Sequence, residues 1–179
     1  MKTYLETDRL ILREIVAEDV DGMFELDSDH EVHRYLGNNP IKNKEEAQKS
    51  IDFIRQQYTE NNIGRWAVVK KNSNEFIGWA GLKLIKETTN SHIDYYDLGY
   101  RLIKKFWGMG YATEAAKASL AYGFNTLNLP EIFAIADCDN TGSNKILTKI
   151  GLRHKQVFFL NGIKCNWYRV SREEYNEYT

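Results

Sequence analysis

Residues 98–116, LGYRLIKKFWGMGYATEAA, run from an apolar strand through a basic, glycine-containing turn into a helix. Such a turn leaves several backbone N–H groups unpaired beside the positive end of the helix dipole, so it is suited to hold an anion such as a pyrophosphate. Gly108 and Gly110 let a phosphate approach the main chain without meeting a side chain. The two glycines taken alone are equally consistent with a simple tight turn.

Two familiar phosphate loops do not match this turn. A Walker-type loop needs Gly-Lys followed by Ser or Thr, and the sequence has no such run. A dinucleotide fingerprint that starts at Gly108 would place Thr113 at its third glycine position, and the turn lies past the middle of the chain. The turn therefore predicts an anion site of another kind.

The composition indicates one domain over residues 1–179. The 24 Lys and Arg residues nearly balance the 25 Asp and Glu residues, which leaves a formal net charge of −1. We therefore expect no general attraction to nucleic acid or to an anionic membrane, and any anion site should be local. No apolar signal segment or membrane span is evident, so we expect a cytoplasmic protein.

The two cysteines, Cys138 and Cys165, are too few for a disulfide framework and lack the paired spacing of a zinc site. We expect both to be free thiols. His30 and His33 are three residues apart and lack the four-residue spacing of the zinc-protease helix, so we expect two solvated histidines. The sequence therefore predicts no metal.

Hydrophobic periodicity predicts a mixed α/β (α+β) chain of alternating strands and helices. The strands at 93–102 and 131–138 are separated by a helix, so they are expected to be parallel with a right-handed crossover. Gly78 and Gly81 suggest bulges or the close approach of another backbone. The predicted strands are 9–15, 65–70, 75–85, 93–102, 131–138, 152–160 and 163–170; the predicted helices are 18–26, 43–61, 109–125 and 140–150, with a last helical turn capped at Ser171.

The turn also resembles a known signature. Lys105-x-x-Gly108-x-Gly110, followed by Tyr-Ala-Thr-Glu-Ala, is similar to the acetyl-CoA motif of the GNAT N-acetyltransferase superfamily, which has Gln or Arg at the first position. Residues 7–14, TDRLILRE, resemble the opening of its ribosomal-protein N-terminal acetyltransferase branch. Lys105 departs from the usual residue but keeps a positive charge.

Two further motifs in the same order resemble that branch. Asp97-Leu-Gly-Tyr-Arg-Leu102 is similar to its central-strand pattern "acidic–Ile–Gly–Tyr–x–Leu". Asn140-Thr-Gly-Ser143 with Lys149-Ile-Gly-Leu152 resembles "Asn-x-x-Ser … Lys-x-Gly-Phe", with Leu152 in place of Phe. The resemblance implies the GNAT fold: a mostly antiparallel twisted sheet with a splayed parallel strand pair, flanked by helices.

The resemblance implies acetyl-CoA as co-substrate. Its pyrophosphate would lie on the N–H groups of residues 106–112, with charge added by Lys105, and its pantetheine arm would pair with residues 98–100. An N–H near Leu98 would polarise the thioester carbonyl. The implied cofactor-binding residues are Leu98, Gly99, Tyr100, Lys105, Phe106, Trp107, Gly108, Met109, Gly110, Tyr111, Ala112, Asn140 and Ser143.

Acetyl transfer to an amine needs a base, because α-amino groups titrate near ~8 and lysines near ~10.4. Asp97 is the favoured candidate, with Asp94 and His92 as alternatives, although Asp97 is equally consistent with a polar residue at a strand bulge. By resemblance Ser143 would donate to the leaving thiolate and Asn140 would bond the cofactor arm. Both are also consistent with ordinary residues at a helix start.

The branch resemblance implies that the acceptor is the α-amino group of a protein, including a ribosomal protein. Polyamines, antibiotics and other small amines are alternatives, as is a non-catalytic CoA-binding regulatory module. A nucleotide-dependent oxidoreductase or kinase is a third class. The acceptor groove is expected around Tyr35, Trp79, Phe159 and Trp167. Both a monomer and a homodimer remain open.

Overall fold

A twisted sheet of eight strands forms the centre of the protein. The computed structural model describes residues 1–178. The strands are β1 (Thr3–Glu6), β2 (Leu10–Arg13), β3 (Trp66–Lys70), β4 (Glu75–Ile85), β5 (Tyr95–Leu102), β6 (Glu131–Asp137), β7 (Arg153–Leu160) and β8 (Ile163–Ser171). The helices are α1 (Val20–Asp27), α2 (His30–His33), α3 (Lys44–Asn61), α4 (Tyr111–Asn125), α5 (Thr141–Lys149) and α6 (Arg172–Tyr178).

The strand order is β1-β2-β3-β4-β5-β6-β8-β7, and every neighbouring pair is antiparallel except β5 and β6. The parallel pair is matched only where Asp97 lies opposite Phe133, whereas β4 and β5 are matched from Gly78–Leu102 to Ile85–Tyr95. This confirms the predicted fold class: a mixed α/β chain with a mostly antiparallel sheet and one splayed parallel pair. The gap opens toward the carboxyl end of β5, where the glycine turn begins.

Helices cover both faces of the sheet. On one face, Asp27 of α1 reaches Arg101 of β5, and Phe53 of α3 lies under the Lys83 ammonium of β4. Successive side chains of a strand point to opposite faces, so Leu82 and Tyr100 lie on the other face. There a Cβ added at Gly123 of α4 would meet Leu82. The gap between β5 and β6 can therefore be reached from either face of the sheet, and the two faces carry different side chains.

The face of α4 that packs on the sheet consists largely of small residues. Ala115, Ala116, Ser119 and Leu120 are completely buried, and the helix packs on β4 and β5. Small side chains let the helix axis lie close to the sheet. Close packing of this kind fixes the first turn of α4 relative to β5, which is the geometry that a ligand across the turn requires.

The backbone at Gly78 shows the predicted close approach. A Cβ at this position would lie 2.1 Å from the carbonyl oxygen of Arg101, and the register of β3 and β4 shifts next to it, between Val68 and Val69. The closing hairpin turns at Asn161 and Gly162, both with positive φ, as a two-residue turn of this type requires. Both cysteines are free thiols, as predicted.

Two elements were not predicted, and one expectation is wrong. These elements are β1, a four-residue edge strand, and the single-turn helix α2. His33, at the end of α2, is only 8% exposed, so it is not a solvated histidine. The turn of helix folds His33 toward Asp27 at 3.6 Å, and burial together with the nearby Arg101 lowers its pKa. Among the helices of residues 1–178, none has the length and apolarity to cross a membrane.

Candidate active site

The turn between β5 and α4 presents a row of free backbone donors. Gly108 and Gly110 have φ of 75° and 82°, a left-handed backbone conformation that residues other than glycine rarely adopt. A Cβ at Gly108 would meet nothing within 4 Å, so the main chain is open to a ligand there. Within residues 1–178, no group accepts a hydrogen bond from the N–H groups of residues 108–113, and the first helical bond joins Glu114 to Gly110. These donors fit a pyrophosphate.

The predicted cofactor-binding residues around these N–H groups differ in how far they are buried. Phe106 and Leu98 are buried, while Trp107 and Met109 are about half exposed on the outside of the turn. The indole of Trp107 donates to the carbonyl of Leu102 over 2.7 Å, which fastens the turn to the end of β5. Tyr111 and Ala112 are partly buried in the first turn of α4.

The Lys105 side chain is paired with two carboxylates. Its ammonium group lies 3.0 Å from Glu25 and 3.3 Å from Glu75, and it is about half exposed. The hydrogen bond to Glu25, followed by that to Glu75, raises its pKa. Because two carboxylates already surround this charge, the turn relies on its N–H groups and the helix dipole more than on Lys105.

A group of hydrogen bonds that was not predicted, called the Arg9 clamp below, joins Arg9 and Thr7 to the turn and to the start of α4. Arg9 binds the carboxylate of Glu114 at 2.7 and 2.6 Å, and it donates to the carbonyl of Met109 over 3.0 Å. Thr7 donates to the same carboxylate over 2.5 Å. Burial raises the pKa of Glu114, but the hydrogen bonds from Thr7 and Arg9 outweigh it and leave the pKa lowered. This clamp joins the motif at residues 7–14 to the helix that follows the turn.

We expect Arg9→Ala to weaken acetyl-CoA binding about tenfold, which corresponds to about 1.4 kcal/mol, because the Met109 carbonyl and the start of α4 lose their common anchor. Calorimetric titration of acetyl-CoA measures the change. Arg153→Ala is the control, since Arg153 is an exposed residue paired with Glu174 and Glu177 of α6. Equal affinity in wild type and Arg9→Ala would show that the clamp does not shape the turn.

Strand β5 carries different groups on its two faces. Tyr100 faces α5, while Asp97 and Gly99 face Arg65, which lies just before β3. A Cβ at Gly99 would lie 2.6 Å from a guanidinium nitrogen of Arg65, so only glycine leaves room for this side chain. The glycine in the central-strand motif is thus explained by a distant arginine.

Asp97 is held by Arg65 rather than free. One oxygen of its carboxylate receives a hydrogen bond from Arg65, whose other terminal nitrogen donates to the backbone carbonyls of Asp97, at 2.6 Å, and of Gly81. Burial raises the pKa of Asp97, and the charge of Arg65 opposes that rise. Its role as the base stays a prediction, and its pairing with Arg65 competes with that role.

On the opposite face, Ser143 meets Tyr100 across the gap between β5 and β6. Their hydroxyl oxygens are 3.0 Å apart. Burial raises the pKa of Tyr100, which keeps its hydroxyl protonated near neutral pH. Asn140 is the N-cap of α5, and its side chain accepts a hydrogen bond from the Ser143 N–H over 3.0 Å. The cap fixes the first turn of α5, which carries Ser143.

Asn144 is a residue that the sequence analysis missed. Its amide nitrogen donates to the carbonyls of Asp137 and Asn140, and its amide oxygen accepts from Asn166 and Tyr168, each within 2.9 Å. All its bonding capacity joins the end of β6, the start of α5 and strand β8. These bonds tie the first turn of α5, which carries Ser143, to the neighbouring strands.

The four aromatic residues expected in the groove lie in different places. Trp79 lies between the guanidinium groups of Arg65 and Arg101, at 5.4 and 5.0 Å from ring centre to carbon. Trp167 is buried with Tyr95 and Phe133 in a second, smaller apolar cluster. Phe159 is 70% exposed on the edge strand β7, and Tyr35 lies beside Arg34. The first two positions lie on the Asp97 face of the sheet.

A cavity of about 220 Å³ opens next to that cluster. Its lining includes His92, Asp94, Tyr96, Glu131 and Phe133. It therefore places both alternative bases, His92 and Asp94, at the loop end of β5. Among the residues that the structure describes, no group of three or more His, Cys, Asp or Glu side chains is arranged to hold a metal ion.

The sequence of the chain is similar to those of known acetyltransferases. Residues 9–153 match the family described as "Acetyltransferase (GNAT) domain". The chain is 33% identical to the uncharacterized N-acetyltransferase YoaA of Bacillus subtilis, over 88% of this chain and 89% of YoaA. It is 29% identical to spermidine N(1)-acetyltransferase of Escherichia coli K12, over 89% of this chain and 83% of that protein.

Solved structures share the fold. A GNAT-family acetyltransferase from Bacillus anthracis superposes with a TM-score of 0.79 at 23% identity, covering 94% of this chain and 98% of that one. A Vibrio cholerae spermidine N-acetyltransferase in complex with CoA and spermine gives 0.76 at 18% identity, covering 95% and 99%. A Vibrio cholerae protein described as a ribosomal-protein-serine acetyltransferase also gives 0.76 at 18%, covering 93% and 95%.

The sequence matches and the site agree on one chemistry. GNAT acetyltransferases use acetyl-CoA, and the free donors after Gly108, the open gap beside β5 and the Ser143 hydroxyl fit that co-substrate. The family match covers far more than half of the chain. The chain therefore belongs to the GNAT acetyltransferase family and is an acetyl-CoA-dependent N-acetyltransferase.

Proposed function

We propose that the protein transfers an acetyl group to the α-amino group of a protein N-terminus, including that of a ribosomal protein, by direct attack in a ternary complex. The observation that carries this proposal is the gap between β5 and β6. It has free N–H donors at one end, the Tyr100–Ser143 pair on one face and Asp97 with His92 on the other. Such a gap admits two substrates from different sides.

The chain's own residues have distinct tasks in this proposal. Acetyl-CoA, when bound, supplies the acetyl group as an activated thioester. The N–H groups of residues 108–113 bind its phosphates, and the β5 backbone near Leu98 lies beside the gap to pair with its arm. A backbone N–H near Leu98 stabilises negative charge on the carbonyl oxygen, and the Ser143 hydroxyl donates to the departing sulfur.

The charges around the cavity favour an α-amine over a polyamine. A polyamine carries several ammonium groups and needs several free carboxylates. Glu131, however, is paired with Arg169 at 2.6 Å, and Asp97 is paired with Arg65. Among the lining groups only Asp94 is a carboxylate without an ion pair in the described chain. One carboxylate suits a single ammonium group.

A polyamine remains the second candidate acceptor. Both the Escherichia coli relative and one Vibrio cholerae structure are spermidine acetyltransferases by name. The cavity beside Asp94 is also open enough to admit a small amine.

Release of free thiol on mixing the enzyme with acetyl-CoA and an amine panel tests the proposal. The panel contains peptides with free N-termini, the same peptides with acetylated N-termini, free lysine and spermidine. We expect release with the free peptides and none with the blocked ones. Faster release with spermidine would select the second candidate, and CoA binding with no release for any amine would select a non-catalytic module.

We also propose that residues 1–179 act as one domain in the cytoplasm. The sheet runs unbroken through the described residues, which supports the single domain. Limited proteolysis tests this point, because a second domain would separate as a stable fragment. Light scattering would distinguish the monomer from the homodimer.

A further inference from the structure

The loop that leads from β4 into β5 holds His92 in a tightly constrained turn. Thr89 and His92 exchange two backbone hydrogen bonds, at 2.8 and 2.9 Å. The two residues between them, Asn90 and Ser91, have φ of 49° and 63°. Non-glycine residues are uncommon in this conformation, and such positions cluster at functional sites. Gln156 of β7 anchors the turn by donating to the Asn90 side chain over 2.8 Å.

The hydrogen bonding of His92 fixes which ring nitrogen is free. Nδ1 lies 2.7 Å from the backbone carbonyl oxygen of Asn90. A carbonyl only accepts hydrogen bonds, so the proton belongs on Nδ1, and in the neutral ring Nε2 carries the lone pair. No group in residues 1–178 donates to Nε2. The loop therefore fixes the orientation of the ring, and Nε2 is left available to accept a proton.

The ring lies at the place where the parallel strands part. Its centre is 5.0 Å from that of Phe133, 5.0 Å from that of Trp167 and 6.4 Å from that of Tyr95. Phe133 is the register partner of Asp97, the single match between β5 and β6. His92 also lines the cavity on this face. It thus lies at the closed end of the gap, opposite the glycine turn and on the Asp97 face of the sheet.

We infer that His92, and not Asp97, is the general base that takes a proton from the acceptor amine. The inference rests on the proposed function. Asp97 is bonded to Arg65 through its side chain and its backbone carbonyl, whereas Nε2 of His92 has no hydrogen-bond partner among residues 1–178. The role of Asp97 is then to neutralise the buried Arg65, whose guanidinium shapes this face of the site.

The proton balance is complete with these groups. The ammonium form of the acceptor gives one proton to Nε2 of His92 and becomes an amine. The amine nitrogen forms the new N–C bond, the C–S bond breaks, and the electron pair leaves with sulfur. The second proton on nitrogen passes to that sulfur through the Ser143 hydroxyl. His92 returns the first proton to water, so the products are an amide, a thiol and one free proton.

Steady-state kinetics of His92→Gln test the inference. We expect kcat/KM for the acceptor to fall about 10²- to 10⁴-fold, the usual contribution of a general base, with the Kd for acetyl-CoA unchanged within twofold. His30→Gln is the control, since His30 is an exposed histidine on α2, outside the groups assigned to the site. We expect it to stay within twofold of wild type.

Two readouts separate a base from a structural residue. Added imidazole should restore part of the lost rate in His92→Ala, because the pocket between Phe133 and Trp167 remains. The deficit should also shrink for acceptor amines of low pKa, which need less help to lose a proton. A deficit that is equal for all amines and insensitive to imidazole would overturn the inference.

Nitrogen NMR of the free protein gives a measurement independent of turnover. We expect neutral His92 to carry its proton on Nδ1, and a proton on Nε2 would overturn the inference. Wild-type-like kinetics of His92→Gln would overturn it while leaving the proposed function intact. A wild-type enzyme that releases no thiol with any amine would overturn the proposed function and the inference together.

Discussion

Replacing Arg65 by methionine is expected to lower the free energy of unfolding by about 3–5 kcal/mol. Arg65 is 8% exposed and bonds the Asp97 carboxylate, the Asp97 carbonyl and the Gly81 carbonyl. Methionine fills similar volume but leaves a buried carboxylate and two carbonyls without their donor. Removing one partner of a buried pair is costly because the other charge stays in an apolar environment without compensation. Urea unfolding monitored by tryptophan fluorescence measures the change.

The cost of Arg65→Met should depend on pH. Burial raises the pKa of Asp97, and without Arg65 nothing nearby of equal strength opposes that rise. Below the unfolded pKa of about 3.9, the carboxyl is protonated in both states and its charge costs nothing. As pH rises through the unfolded pKa toward the raised folded pKa, the variant progressively loses stability. The deficit should therefore be smaller near pH 4 than at pH 7.

Two further variants serve as controls for the Arg65→Met measurement. Lys44→Met removes the exposed partner of Asp21, and exposed pairs contribute about 0–1 kcal/mol, so we expect little change. Arg65→Met combined with Asp97→Leu removes both charges and should recover part of the loss. A deficit for Arg65→Met as small as that for Lys44→Met would mean that the pair is not buried in solution.

The order and type of the elements at the site follow from local sequence. The glycine turn, the small-residue face of α4 and the cap at Asn140 are each decided by residues within one or two turns of each other. The parallel pairing of β5 and β6 follows from the helix between them. Short-range rules are sufficient for these features because the physical interactions that produce them are themselves short-range.

The pairings that complete the site lie far apart in sequence. Arg65 reaches Asp97 from 32 residues away, and Arg9 reaches Glu114 from 105 residues away. The motifs that contain Arg9 and Glu114 were both recognised, but a single sequence does not say that they touch. For the same reason the ion pair between Asp97 and Arg65 could not be predicted. Asp97 was expected to be a free carboxylate because Arg65 lies just before β3, far from Asp97 in the sequence.

Ser143→Ala is expected to lower kcat about 10²-fold while leaving the Kd for acetyl-CoA unchanged. A hundredfold fall corresponds to about 2.7 kcal/mol of lost transition-state stabilisation. The hydroxyl acts on the departing sulfur, so its effect appears in turnover rather than in binding. The helix cap survives the change because Asn140 binds the backbone N–H of residue 143 and not its hydroxyl. Thr148→Val, on the exposed side of the same helix, is the control.

Tyr100→Phe extends this test to the whole donor unit. The Tyr100 and Ser143 hydroxyls are 3.0 Å apart, and burial keeps Tyr100 protonated, so the two hydroxyls can pass one proton between them. Groups that act as a unit give non-additive losses. The double variant should therefore be no slower than the slower single variant, within about threefold. Losses that multiply would instead show two independent roles, with Tyr100 acting on the substrate by itself.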